Sequence, residues 1–251
     1  GSEMCIRDSL GTIGTTRAET GHPVGQIFGY VHDRLFTEDD FKDVENGVLK
    51  DGVPKQTFTA KVRPGDIKYV DLDKNGFIDT YDQMAIGGTE NPEIVYGFGV
   101  NLRWKELDFG AMFQGIGRTW RILSSNIMPA SNKGSMYNIF DNYQDRWTVD
   151  NQSQDVFYPR ADYGPNANNS QKSTWWLRNM SFLRLKNLEL GYSCPKKWLQ
   201  GFVISNARVF VRGTNLLTFS KFNLWDPELA TGDGAKYPAM KSVSVGFDIT
   251  F

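Results

Sequence analysis

The chain has 251 residues, enough for one large domain or two ordinary ones, and its formal net charge of −1 favours neither nucleic acid nor an anionic membrane surface as a partner. Aromatic residues make up 14% and glycine fills 25 positions, a composition that suits β-structure with tight turns and argues against a helix bundle. No run of 18 apolar residues is present, which excludes a membrane-spanning helix but not a membrane β-barrel, whose strands alternate lipid-facing and lumen-facing side chains.

In chain order, residues 1–10 (GSEMCIRDSL) have no period and no relation to the rest of the chain, so they read as a tag or assembly scar, with the domain proper at 11–251. No charged-then-apolar leader is visible. Cys5 and Cys194 are too isolated to argue a disulfide or a metal pair. PVGQIFGYVHDRLF (23–36) holds an apolar-aromatic run that reads as a strand leading into a loop. TEDDFKDVENG (37–47) predicts one short helix: Thr37 caps it, Asp40 completes a capping box, and Asn46-Gly47 stops it. Residues 48–65 are polar and turn-rich.

DLDKNGFIDTYD (71–82) has the spacing of a calcium loop. Oxygen ligands fall at Asp71, Asp73, Asn75 and Asp79, with Gly76 at the sharp turn, the Phe77 carbonyl next, Ile78 behind it and Asp82 at the last position. Carboxylates so close repel one another unless a cation lies among them, so structural calcium held by these residues is expected. The competing reading is a solvated acidic turn, because Asp82 is shorter than the usual Glu. The flanks are extended, unlike an EF-hand.

Residues 93–104 (EIVYGFGVNLRW) then alternate cleanly, with Ile94, Tyr96, Phe98, Val100, Leu102 and Trp104 in one phase. Lys105-Glu106 makes a tight turn, and Leu107, Phe109, Ala111 and Phe113 return on one face. A long polar stretch comes next, beyond the usual loop length of a compact domain. In NMSFLRLKNLELGYS (179–193), Leu183 and Leu185 keep one phase while Leu188, Leu190 and Tyr192 keep the other, so a bulge is predicted near Lys186-Asn187. NARVFVRGTNLLTFS (206–220) and SVSVGFDITF (242–251) complete the strands; the clearest of them all lie within 93–251. Long strands, one apolar face and alternately short and long connections predict an all-β antiparallel meander without parallel pairs, from a transmembrane β-barrel. Strand parity puts the long extracellular loops 117–177 and 221–237 on one rim, opposite the turns at 105–106 and 194–204. Val243, Val245, Phe247, Ile249 and Phe251 should face lipid, and Ser242, Ser244, Gly246, Asp248 and Thr250 the lumen.

Trp120, Trp147, Trp175, Trp176 and Trp225 in the outer loops are candidate contacts for a sugar or a partner protein; belt or loop-packing roles compete. Trp104 and Trp198 read as an inner belt. Arg184, Lys186, Arg208 and Arg212 read as lumen residues paired with Glu189 or Asp108. His22 and His32 have no partner at metal spacing. No nucleophile elbow, phosphate loop or catalytic triad is present, so no enzyme is expected.

Six stretches, GDIKYVDLDKNGFID, PEIVYGFGVNLRWKELDFGAMFQG, DRWT, FLRLKNLELGYSCPKKW, RVFVRGTNLLTFSKF and SVSVGFDITF, together resemble the C-terminal part of the SusC/RagA-type TonB-linked outer-membrane receptors. The resemblance implies the C-terminal portion of an outer-membrane barrel, with membrane lipid around it and an unpaired sheet edge at residue 23 or earlier. It implies import of an oligosaccharide or peptide, a SusD-type surface lipoprotein as lid, and TonB acting through an N-terminal part outside this sequence. The acidic loop would then lie in an extracellular connection, pinning a long surface loop. Ser244, Gly246, Ile249 and Phe251 resemble the C-terminal signal of barrel assembly, which implies that residue 251 is the natural end. Two rivals are a soluble carbohydrate-binding β-domain with a dockerin-like calcium loop, from a secreted glycan-degrading enzyme, and a passive porin or adhesin barrel.

Overall fold

The computed structural model describes residues 11–13, 16–18, 21–124, 140–162, 166–201 and 203–251; the segment 1–10, with Cys5, lies outside them. In chain order the strands are β1 (Gly11–Ile13), β2 (Thr16–Ala18), β3 (Gln26–Tyr30), β4 (His32–Leu35), β5 (Phe41–Asp43), β6 (Val48–Leu49), β7 (Lys55–Gln56), β8 (Ile67–Tyr69) and β9 (Phe77–Ile78). They continue with β10 (Gln83–Thr89), β11 (Ile94–Trp104), β12 (Leu107–Gly117), β13 (Trp120–Ile122), β14 (Leu177–Asn179), β15 (Phe182–Ser193), β16 (Asn206–Ser220) and β17 (Ser242–Thr250). One short helix, α1 (Lys196–Leu199), joins β15 to β16. The chain divides into two units. One takes the part up to Glu90 together with Trp120–Arg178; the other takes Asn91–Thr119 and Asn179–Phe251.

The second unit is a single sheet in the order β11-β12-β15-β16-β17, antiparallel throughout. Residues opposite one another in a ladder share a face. Phe98 pairs with Phe113, Leu102 with Phe109, Phe109 with Leu190, Leu190 with Val211, and Val211 with Val245. One face is therefore apolar from edge to edge, and it is exposed: Phe247 is 74% and Trp104 69% accessible. A soluble protein does not leave so broad an apolar surface in water, whereas a barrel wall turns it to lipid. Strands of 9 to 15 residues match the length a tilted transmembrane strand needs.

The predicted bulge is present. Lys186 is skipped in both ladders of β15, and opposite it β16 spends Asn215 and Leu216, with Asn215 at φ +55°. The irregularity crosses three strands at one height, so the apolar phase survives on both sides of it. Between β11 and β12, Lys105 at φ +55° makes the two-residue turn. One end of the sheet carries this turn and the β15–β16 connection. At the other end the chain leaves after Gly117 and Ser220 and re-enters at Phe182 and Ser242.

The first unit reads differently from expectation. The helix foreseen at 37–47 is a 3-10 turn at Glu38–Asp40 followed by β5, a turn and β6. The capping signals survive, since the Asp40 carboxylate accepts from the Thr37 amide at 3.0 Å, but Arg34 also grips it in bidentate fashion at 2.7 Å. Phe41, meanwhile, is buried with Phe36 and Val62 against Leu49 and Val53. Burial of one large aromatic outweighs the propensity of a short, isolated, acidic helix.

Parallel pairing also occurs, against expectation: β7 runs parallel to β9, with Lys55 opposite Phe77. The free edge of the long-stranded sheet lies at β11 and not, as expected, at residue 23 or earlier. β3 pairs with β10 inside the first unit, and the five-stranded sheet begins at β11.

Long-range polar contacts hold the first unit. Asp66, 1% exposed, accepts from Asn166 at 3.0 Å, from Asn169 at 2.9 Å and from the Arg63 amide, and pairs with Arg160 at 3.1 Å. Burial pushes the Asp66 carboxyl up, opposed by Arg160 and these donors. Tyr69 donates to the Asn168 carbonyl at 2.6 Å, and Asn168 Nδ2 to the Ile67 carbonyl at 2.7 Å. Arg160 and the asparagines Asn166, Asn168 and Asn169 are thereby tied to β8 and the Asp66 that precedes it.

Candidate cation loop and barrel wall

The acidic loop is built by its own side chains. Asp73 accepts from the Asn75 amide at 3.0 Å and Asn75 from the Phe77 amide at 2.8 Å, each closing a local turn. Gly76, at φ +86°, supplies the left-handed residue and donates to Asp71 Oδ2 at 2.8 Å. Phe77 then enters β9. Asp82 is fully buried; its Oδ1 accepts from the Leu72 amide at 2.7 Å and its Oδ2 from the Asp79 amide at 2.8 Å.

Asp71, Asp73 and Asp82 each bring one carboxylate oxygen within 4.8 Å of the others. Oxygens about 2.4 Å from a shared calcium ion lie no further apart than that. Asp71 Oδ1 is buried and has no hydrogen-bond partner, a state that costs free energy unless a cation or water meets it. The donor set therefore fits calcium. Asp79 stands apart: it does not join the three but accepts from the Tyr81 amide at 2.8 Å, capping the 3-10 turn Thr80–Asp82. The loop runs from β8 into β9 and that turn, with none of the paired helices of a dockerin.

On the polar face of the sheet, Arg208 reaches Asp108 on β12 at 2.5 Å, Glu189 on β15 at 2.6 Å and Asp248 on β17 at 3.4 Å. Arg212 takes the other Glu189 oxygen at 2.6 Å. Four strands are laced by one guanidinium. The pairing expected from sequence holds for Arg208 and Arg212 but not for the other two cations. Arg184, 2% exposed, pairs with Asp226 and, at 2.8 Å, with Glu228; Lys186 takes Glu228 at 2.8 Å. These acids sit in the β16–β17 connection, beside the 3-10 turn Pro227–Leu229, so the bulge cations clasp a loop rather than a strand. Nothing in their sequence spacing pointed there.

The tryptophans divide. Trp147, Trp175 and Trp176 are 5%, 8% and 1% exposed and serve packing, which corrects the expectation of contact surfaces. Trp147 lies on Gly65, which sits at φ +86° and leaves no room for a Cβ. Trp175 donates to the Phe157 carbonyl at 3.2 Å, and Trp176 to the Asn169 carbonyl at 2.7 Å. Both polar handles are satisfied inside, which is what a buried indole requires. Trp120 and Trp225 are half-buried, the latter edge-on to Phe222. Trp104 and Trp198 are exposed at the short-turn end of the sheet. Along β17, Ser244 and Gly246 share one face, opposite Arg212 and Phe210, Ile249 lies on the other, opposite Ala207, and Phe251 comes after the strand, exposed.

No family model matches the chain. It is 32% identical over 202 residues to TonB-dependent receptor P26 of Formosa agariphila, covering 74% of this chain and 20% of that protein. TonB-dependent receptor P3 of the same organism is 27% identical over 248 residues, 92% of this chain and 22% of the relative. TonB-dependent receptor SusC of Bacteroides thetaiotaomicron is 24% identical over 205 residues. Among solved structures, the RagAB peptide importer in its open-open state superposes with a TM-score of 0.63 at 26% identity, over 90% of this chain and 22% of that one. The RagAB peptide transporter gives 0.61 at 28% identity. The chain spans about a fifth of the length of these relatives.

Proposed function

We propose, for a chain that is a segment of a SusC/RagA-type TonB-dependent receptor of the outer membrane, that the intact receptor imports a nutrient oligomer, an oligosaccharide or a peptide. The single observation that carries this reading is the two-faced sheet: an apolar face one residue deep on five long strands, backed by a charged face that an aqueous lumen would wet. The similar proteins are receptors and importers, which favours transport over catalysis. A SusD-type surface lipoprotein is the proposed lid and TonB the energy source, acting through parts of the receptor beyond this segment.

In the same reading the acidic loop holds calcium through Asp71, Asp73 and Asp82, with Asn75 and the Phe77 carbonyl as further candidates, while Asp79 is left to cap the 3-10 turn. Calcium would neutralise the clustered carboxylates and stiffen the loop, a structural contribution. Ser244, Gly246, Ile249 and Phe251 are proposed to guide assembly into the membrane.

Deleting the gene and measuring uptake of labelled oligosaccharides and peptides tests the importer reading. Uptake of one class should be lost while uptake of its monomers persists, and collapsing the proton-motive force should abolish it in the parent strain. Unchanged uptake across both classes would overturn the proposal. For the loop, calcium should raise the melting temperature of the purified intact receptor and a chelator should reverse the gain, with magnesium ineffective.

A further inference from the structure

Beside the acidic loop, in the same unit, residues 49–55 and strand β8 border a cleft of about 740 Å³, the size of a small-ligand site. Four ammonium groups line it: Lys50, Lys55, Lys68 and Lys74. Lys68 is already committed, with its Nζ 3.6 Å from Asp33 and 3.2 Å from Asp40. Asp51, on the same wall, is taken by Lys42 at 2.7 Å, and Asp71 belongs to the cation loop. Among the described residues this leaves Lys50, Lys55 and Lys74 exposed, with no acidic side chain in salt-bridge range. Phe77, 47% exposed, adds an open ring, and Lys55 Nζ lies 5.8 Å from its centre.

We infer that this cleft is a subsite for an anionic oligosaccharide, whose uronate or sulfate groups the three lysines take. The inference rests on the importer reading and narrows its substrate class. Ammonium groups act as point charges that accept carboxylate or sulfate without the fixed fork an arginine imposes. Like charges gathered around a concave wall repel one another, and an anion relieves that repulsion. The exposed Phe77 ring is a platform for the apolar face of a pyranose, a surface that the carboxylate side chains of an acidic peptide do not offer, and the half-exposed Asp33 is an acceptor for ring hydroxyls.

The test is calorimetric titration of the purified intact receptor with an oligogalacturonate hexamer, its methyl-esterified counterpart and hexaglutamate, at low and high salt. The charged hexamer should bind, weaken as salt rises, and lose about tenfold or more in affinity when Lys50→Gln, Lys55→Gln and Lys74→Gln are combined. Lys241→Gln, which removes one exposed charge in the other unit, should leave affinity unchanged, and an unaltered melting temperature of the triple variant shows that it folds. The inference is overturned if the charged hexamer does not bind, if the ester binds as well as the acid, or if the triple variant keeps full affinity. Hexaglutamate binding with the same lysine dependence overturns it in favour of acidic peptides. Failure of the importer reading looks different: a deletion strain with unchanged uptake, whatever the purified receptor binds.

Discussion

Asp82 and Asp71 sit in one loop and do different work. Asp82 satisfies two backbone amides from inside, whereas Asp71 keeps one buried oxygen with no donor at all. Asp82→Ala should therefore cost about 1–3 kcal/mol with or without calcium, because two buried amides lose their acceptor. Asp71→Asn should leave the calcium-free melting temperature nearly unchanged and abolish the calcium-dependent rise. A wild-type calcium response in Asp71→Asn would rule the loop out as a cation site. The acids were legible from spacing alone, but this division of labour was not, since it depends on which amides the fold brings to each carboxylate. Asp40 supplies a pH signature. Burial alone would raise its pKa, but hydrogen bonds from Arg34, Thr37 and Lys68 hold it down to about 2. A depressed carboxyl stabilises the fold above its unfolded pKa, near 3.9, and loses that contribution as pH falls toward 2. Of order 2 kcal/mol should be lost between about pH 4 and 2, and Asp40→Asn should show a flatter melting profile over that window. An identical acid limb in both proteins would refute the pairing.

At the scale of the element, β17 offers the sharpest contrast. Phe247 lies opposite Val209 on the apolar face and Ser244 opposite Arg212 on the charged one. Phe247→Arg should cost about 2–4 kcal/mol if it lies near the bilayer midplane. Ser244→Arg sets a second cation beside Arg212, yet Glu189 is close by, so its cost should stay below about 1 kcal/mol. Urea titration of the refolded intact receptor measures both; equal costs would refute the assignment of faces. These strands were readable because a wall between lipid and water imposes a strict period of two, and even the slip at Lys186 showed as a change of phase. The short strands of the other unit, from two to seven residues long, carry no such rhythm. Their surroundings include side chains about a hundred residues away, as where Asn168 meets Ile67 of β8. Trp147, Trp175 and Trp176 misled for a related reason. A tryptophan amid polar loop residues has the look of a surface, and only the distant Gly65, Phe157 and Asn169 reveal an interior.

For the whole molecule, the parity of the meander makes a topological forecast. The short-turn end carries Lys105 and, in α1, the adjacent Lys196 and Lys197, all trypsin sites. In whole cells trypsin should cut within the long connections and spare these three lysines, and it should reach them only once the outer membrane is breached. Cleavage at Lys105 in intact cells would reverse the orientation. Sequence parity sufficed for this because alternation of strand ends is a matter of counting, whereas the edge of the sheet was misplaced because β3 finds its partner in β10 rather than in β11.

The two halves of the first unit flank the β11–β12 hairpin in the chain, so the unit is interrupted by strands that belong elsewhere. Its anchor between Asp66 and Arg160 closes a loop of 94 residues, and that closure has to wait until the hairpin and the residues after it have emerged. Distant closures are entropically slow. During export and insertion this unit should mature late, behind the adjacent β11–β12 pair, and until then the acidic loop and its neighbouring lysines would be presented on an unfinished scaffold.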